Sequence, residues 1–379
     1  MKKKYRVLLF VRWPVGGIRT FVRYIYKNFD PLKYEFTILG PDQSELKVLL
    51  DDLKMHDIAC ITFKADMPPW KVVAVVMKTI LLGRFDLIHS QGFMAGLYSS
   101  LPARISRTKH IMTSHDVLMP KQFVGLKGAL KKLALSSFLP MIDTIHSVSN
   151  DAHNNLLDFI PKLQKRRDQC IAISNGIDIE RFQNPEKRDF RKELNLSADT
   201  FLIGFLGRFM SQKGFVFLVD AIEAMVKERK LPKKPVVLSF GFDGFVREDT
   251  KYLNEKGLQE HFHFLPFTSN IASTLKGLDV VAMPSLWEAC PLLPMEAMVA
   301  GVPVIGTDCL GLREVLTDTP NVILEAGKSQ PLAAALEHEI RTPTLSQSEA
   351  FRDEAALRFD VRKQSTELEQ VILNMLKKS

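Results

Sequence analysis

The sequence predicts an α/β protein of two Rossmann-like domains, and three observations carry that reading. Short apolar runs alternate with longer helical patterns along the whole chain, which is the spacing of parallel βαβ units. The alternation pauses near residue 175 and restarts at residue 201. Length agrees: 379 residues are too many for one ordinary core and suit two, at roughly 150 residues each.

The first half opens with a strand at Val7–Val11, a Gly-Gly loop and a helix from about Arg19 to Phe29. A strand at Tyr34–Leu39, a helix at about Ser44–Met55 and a strand at Ala59–Phe63 follow. Leu87–Ser90 and His110–Thr113 are terse strands opening onto polar loops, and Thr144–Val148 and Cys170–Ile173 close this half. After a joint near Asn175–Pro185 come a strand at Phe201–Leu206 and a helix from about Gly214 to Glu228. Pro235–Phe240, Phe262–Leu265, Val280–Ala282, Val304–Gly306 and Val322–Leu324 are the remaining strands, and Arg362–Leu376 is a closing helix. The expected domains are residues 1–175, with about 360–379 packing back onto them, and residues 176–359. Open α/β sheets bind ligands beyond the carboxyl ends of their strands, so two such bodies face to face would place a site in the cleft between them.

With 46% hydrophobic and 25% charged residues the chain is neither disordered, collagenous nor a disulfide miniprotein. No apolar run approaches the ~18 residues that cross a bilayer. Lys plus Arg number 51 against 43 acids, a net +8, unevenly spread. Residues 1–177 hold 26 basic and 14 acidic residues, net +12; the rest hold 25 and 29, net −4. The basic half is expected to meet something anionic. No stacking-aromatic module supports nucleic acid in that role. Cys60, Cys170, Cys290 and Cys309 show no CxxC spacing, which argues against zinc and fits a reducing compartment. The opening MKKKYRVLLFVRWP is leader-like, yet Arg12 and Pro14 interrupt its apolar stretch and no small-residue cleavage site follows. It reads as a buried first strand of a cytosolic protein.

The richest stretch is PSLWEACPLLPMEAMVAGVPVIGTDCLGLREVL, residues 284–316. Helical pattern from about Leu293 to Ala300 stops at Gly301 with Pro303 behind it, so Glu296 falls in the first turn. Amides there lack partners within the helix and suit a phosphate or sugar hydroxyls. A carboxylate in the same turn suits a vicinal diol such as a ribose, and reads equally as a capping glutamate. GRFMSQKG, directly after the Phe201–Leu206 strand, supplies Gly207, Arg208, Lys213 and Gly214. A planar fork, a point charge and flanking glycines between strand and helix are where a diphosphate belongs. It is not a Walker loop. Gly16 and Gly17 could bring amides to a charged group or form an ordinary turn. His89 and His115 end strands; the first reads as a satisfied structural histidine, the second faces a ligand more readily.

Together these residues resemble the family-4 retaining glycosyltransferases of the GT-B fold. The resemblance is an ordered set over nearly the whole chain: Gly16–Gly17, FDLIHSQG at 85–92, TSHD at 113–116, HSVSN at 146–150 and NGID at 175–178. GRFMSQKG, the Glu-x7-Glu pair Glu288 and Glu296, GVPVIGTD and GLREV complete it. It implies that Arg208 and Lys213 bind the donor diphosphate in place of a metal ion, and that Glu296 holds the ribose. It also implies Glu288 near the transferred sugar, Cys290, Leu292 and Leu293 lining it, and His115 approaching from the opposite domain. Gly16, Gly17, Gly207 and Gly241 would let backbone approach the donor. The implied reaction moves a sugar, with retained configuration, from a UDP- or GDP-linked nucleotide-sugar to a glycan or lipid-linked acceptor, without metal or further cofactor. Two departures, SFGFDGF at 239–245 and Ala289–Cys290 after the first glutamate, bear on the base and sugar pockets.

Residues 68–85 and 121–140 interleave lysines with apolar residues. Each reads either as a packed helix with a solvated basic face or as a stretch that lies on an anionic membrane. A GT-B epimerase or phosphorylase, and a catalytically silent glycan-binding protein, are the competing functions.

Overall fold

The structure, a computed structural model, describes residues 4–53, 58–207, 209–228, 230–241, 246–266, 268 and 270–377. It divides into two units, Met1–Gly176 with Val361–Ser379, and Ile177–Asp360. In the first, strands β1 (Tyr5–Val11), β2 (Tyr34–Asp42), β3 (Ile58–Lys64), β4 (Leu87–Gln91), β5 (Lys109–Ser114), β6 (Thr144–Ser147) and β7 (Cys170–Ala172) form a sheet ordered β3-β2-β1-β4-β5-β6-β7. Every pairing is parallel. In the second, β8 (Thr200–Leu206), β9 (Lys234–Phe240), β10 (Phe262–Leu265), β11 (Val280–Met283), β12 (Val304–Thr307) and β13 (Val322–Leu324) form a parallel sheet ordered β10-β9-β8-β11-β12-β13. Both are Rossmann-like bodies, as the sequence predicts.

Inner strands such as β1, β8 and β9 are legible because both their faces are covered, so each reads as a nearly continuous apolar run. Leu8, Leu9, Phe10 and Val11 are fully buried in β1. In the second unit Phe201, Ile203 and Phe205 of β8 pack with Leu218, Val219, Ile222 and Met225 of the Phe215–Glu228 helix. The order of each sheet reverses beside its first strand, opening a crevice at the carboxyl ends of β1 and β4, and of β8 and β11. The loops singled out by sequence leave those ends.

The first helix differs from expectation, spanning Gly16–Tyr26 rather than starting near Arg19. Gly16 adopts φ +54°, and its neighbour joins the first helical turn instead of a preceding loop. The final helix, Val361–Lys377, belongs to the first unit. It buries Leu368, Ile372 and Leu376 and packs on the Gly16–Tyr26 helix, where Ser365 Oγ donates to the Ile25 carbonyl at 2.9 Å. A Cβ at Gly176 would press on the Val361 backbone and the Gln364 side chain, which explains the glycine of the NGID motif.

Candidate functional site

In the second unit the site begins where β8 ends. Gly207 takes φ +134°, which favours glycine, and its amide donates to the Phe240 carbonyl at 2.9 Å. Gly241 sits against that turn, and a Cβ there would collide with the Gly207 carbonyl oxygen. Gly241 therefore permits close loop packing. Arg208, between these turns and the next, lies outside the described residues, as does Gly244. A short 3-10 turn, Ser211–Lys213, leads to Gly214 at φ +70°, where any Cβ would strike the Pro284 carbonyl. Leu286 N donates to the Gln212 carbonyl at 2.7 Å. The loop after β8 is thus stitched to the loop after β11.

That stitching brings Lys213 to Glu288, 75 residues on, with Nζ 2.6 Å from Oε1. Glu288 is buried, and Ser285 Oγ donates to the same oxygen at 2.8 Å. Ser285 is itself fixed, its carbonyl accepting from Thr307 Oγ1 at 2.5 Å. The Glu288 amide donates to the Leu310 carbonyl at 3.0 Å, and Gly311, at φ +74°, keeps a side chain away from Ala289 and Glu288. A buried carboxylate needs its cation and its hydrogen bonds, and Glu288 has both. The ammonium keeps some exposure and can serve a second anion.

Behind Glu288, Cys290 is buried and Leu292 and Leu293 are half-buried. The helix Leu293–Ala300 carries Glu296 in its first turn and ends at Gly301, φ +73°. Pro294 lacks an N–H, so Leu293 and Met295 are the open amides of that turn. The sequence placed this helix correctly. Ser285 and Thr307 were missed, although Ser285 stands within the quoted PSLWE stretch.

In the first unit, Gly16 and Gly17 supply the amides at the start of the Gly16–Tyr26 helix, and a Cβ on either would meet nothing within 4 Å. His115, just past β5, lies edge-on to Phe21 with ring centroids 4.8 Å apart. Its Nε2 is 2.8 Å from Oε1 of Gln91, the buried last residue of β4. Burial, with His146 adding, pushes the His115 pKa down to about 3, so the ring is neutral at any working pH. Donating from Nε2 leaves Nδ1 as its acceptor. Gln91 was quoted only inside FDLIHSQG; its role depends on the lateral neighbour.

His89 is the satisfied structural residue that its sequence position suggested, and it belongs to a longer chain of hydrogen bonds. The Ile173 carbonyl can only accept, so His146 Nε2 donates to it at 2.9 Å and Nδ1 accepts from Thr113 Oγ1 at 3.0 Å. Thr113 Oγ1 then accepts from His89 Nε2 at 2.7 Å, and His89 Nδ1 accepts from the Tyr26 hydroxyl. Every proton is assigned and both imidazoles are neutral. Thr113→Val should strand a buried donor and a buried acceptor, costing about 2–4 kcal/mol. Denaturant titration checks this, with Thr113→Ser expected to retain most of the stability.

Among the described residues no three His, Cys, Asp or Glu side chains gather as a metal site. Comparison with known proteins bears on both units. Residues 15–181 match the sequence family described as Glycosyltransferase Family 4, and residues 200–341 that described as Glycosyl transferases group 1. An Escherichia coli UDP-Gal:alpha-D-GlcNAc-diphosphoundecaprenol alpha-1,3-galactosyltransferase is 26% identical over 257 residues, 64% of each chain. The lipopolysaccharide core biosynthesis mannosyltransferase LpsB of Rhizobium meliloti is 33% identical over 151 residues, 38% of this chain and 42% of that one. The chain thus spans less than two thirds of the length of these two relatives. Anabaena HepE, solved with UDP and glucose, superposes with a TM-score of 0.81 at 21% identity, over 98% of this chain and 100% of that one. This likeness shows the GT-B fold.

Proposed function

We propose, from the premise that this chain belongs to the family-4 glycosyltransferases, that it moves a sugar from a nucleotide-sugar to an acceptor hydroxyl with retention of configuration. The carrying observation is the Lys213–Glu288–Ser285 cluster at the carboxyl ends of β8 and β11, beside a helix whose first turn holds Glu296. In this reading Lys213 and Arg208 take the diphosphate, and Glu296 takes the ribose of a UDP- or GDP-sugar. Glu288, Cys290 and the Leu292–Leu293 amides meet the transferred sugar. In the first unit, the amides at Gly16 and Gly17 and the neutral ring of His115 are that unit's own candidates for binding a group.

The bond from the anomeric carbon to the phosphate oxygen breaks, and its electron pair leaves with the diphosphate. The acceptor oxygen bonds to that carbon on the same face, and its proton passes to the departing phosphate. The cations stabilise the charge that grows on the leaving group, a task for which preorganised side chains suffice without a metal ion. Glu288, already paired with Lys213, binds rather than acting as a hydrolase-type carboxylate. The activities of the two relatives support a bacterial surface-glycan or lipid-linked acceptor. Among the described residues no helix is long and apolar enough to cross a membrane. In this reading contact with such an acceptor is peripheral, at the cytoplasmic face.

Glu296→Ala should weaken binding of the donor nucleotide by about 1–3 kcal/mol, the scale of a charged hydrogen bond. Calorimetric titration with UDP and GDP checks it. Unchanged affinity would remove Glu296 from the nucleotide site.

A further inference from the structure

The two basic amphipathic segments, indistinguishable in sequence, part company in the structure. The helix Pro69–Gly83 turns Val72, Val76 and Ile80 into the core. The helix Gly125–Phe138 does the opposite: among its residues only Gly128 and Leu135 are buried. Leu126, Leu130 and Leu133, spaced to share one face, are 78%, 57% and 62% exposed, and Val124 before them is 76% exposed. Lys127, Lys131 and Lys132 stand among them. Lys131 bonds Gln122 Oε1 at 2.8 Å, and none of the three pairs with a carboxylate among the described residues. Lysines of the second unit do find acids, as in Lys227–Glu223 and Lys234–Glu260.

The neighbourhood has the same character. The helix Phe93–Ser106 packs against Gly125–Phe138 and exposes Leu101, Arg104 and Ile105. These two helices and Pro69–Gly83 contain six Lys and Arg and no Asp or Glu. A helix meant for water would carry acids in its first turn and at four-residue spacing from its lysines.

We propose that the exposed face of Gly125–Phe138 docks on an anionic lipid bilayer, its leucines entering the acyl boundary and its lysines reaching to the headgroup phosphates. Charge selects this occupant. A second copy would bring like charges together, and protein interfaces are depleted in lysine. Long lysine stems beside leucines suit a membrane, where the stem lies along the apolar layer and the ammonium stays in the headgroups. The inference deepens the proposed function by naming a partner surface, and its test needs neither donor nor acceptor.

The test is co-sedimentation of the full chain with vesicles of phosphatidylcholine alone or mixed with phosphatidylglycerol. The wild type should pellet with the anionic vesicles and stay in solution with the neutral ones. Replacing Lys127, Lys131 and Lys132 by Gln should cut partition about 100-fold, from about 5-fold per lysine. Leu126→Ser, Leu130→Ser and Leu133→Ser together should abolish pelleting without shifting the melting temperature, because those side chains touch little protein. Retained binding in either triple variant, or equal binding to neutral vesicles, would overturn the proposal. A wild-type dimer that the leucine variant turns into a monomer would also overturn it, assigning the face to a second copy. A failure here leaves nucleotide binding untouched, so the two readings fall separately.

Discussion

Lys213→Ala should lower turnover by about 10²–10³-fold, the cost of removing one preorganised group that stabilises growing charge. It should also destabilise the second unit, because Glu288 is buried and would lose the cation 2.6 Å away. A loss of about 1–3 kcal/mol is expected for the stranded carboxylate, moderated by the ammonium's partial exposure. The two effects separate in one further variant. Glu288→Gln on the Lys213→Ala background removes the uncompensated charge and keeps an acceptor for Ser285 Oγ, so stability should recover. Turnover should not, because the diphosphate still lacks its lysine. Nucleotide release and urea denaturation, measured on both variants, read this out. Recovery of activity together with stability would reduce Lys213 to the counter-ion of Glu288.

Acidification should open the first unit well before carboxylates titrate. Burial holds His110 down to about 3 and His146 down to about 4, against an ordinary value of 6.5. His89 lies well below that value for the same reason, with nearby histidines adding. Between the folded and unfolded pKa values the unfolded chain binds more protons, so stability is full above about pH 6.5 and falls as pH drops below it. Going from about pH 7.5 to about pH 5.5 costs on the order of 1 kcal/mol per buried histidine, so a few kcal/mol for the three. That is a large part of the 5–15 kcal/mol a domain commonly has. His115 acts in the same direction. Protonating Nδ1 of His89 or His146 would also set an N–H against a hydroxyl that now donates to it. Hydrogen exchange resolved by unit should show protection lost from β4, β5 and β6 at about pH 5.5 while β8 to β12 keep theirs. Equal loss in both units would contradict this account.

What was legible in the sequence follows from how each feature is encoded. The edge strands Phe262–Leu265 and Val322–Leu324 could be read residue for residue as short, largely apolar runs between helical patterns, although Phe264 and Ile323 are exposed. The Leu293–Ala300 helix was legible from its stop at Gly301. The start at Gly16 was not, because two glycines read as a turn unless the backbone angles are known. Lateral relations were least legible. Lys213 meets Glu288 because β8 lies beside β11, the histidine chain exists because β4 lies beside β5 and Thr113 pairs with His146 of β6, and Gln91 reaches His115 for the same reason. Local periodicity carries no record of strand order. The leucines of Gly125–Phe138 show the same limit, since their spacing is that of a buried face and only the fold leaves them exposed.

The most direct measurement of the central claim is the fate of an α-linked nucleotide-sugar labelled at its anomeric carbon. It is supplied as the UDP- and GDP-linked forms with a lipid-diphosphate-linked sugar as acceptor, and followed by NMR. The account expects nucleoside diphosphate to appear in step with a new α-glycosidic signal on the acceptor, and both to form about 10²–10³-fold more slowly with Lys213→Ala. A β-linked product would contradict retention. Turnover of the donor to an epimer or a sugar phosphate, or no turnover of any nucleotide-sugar, would contradict glycosyl transfer itself.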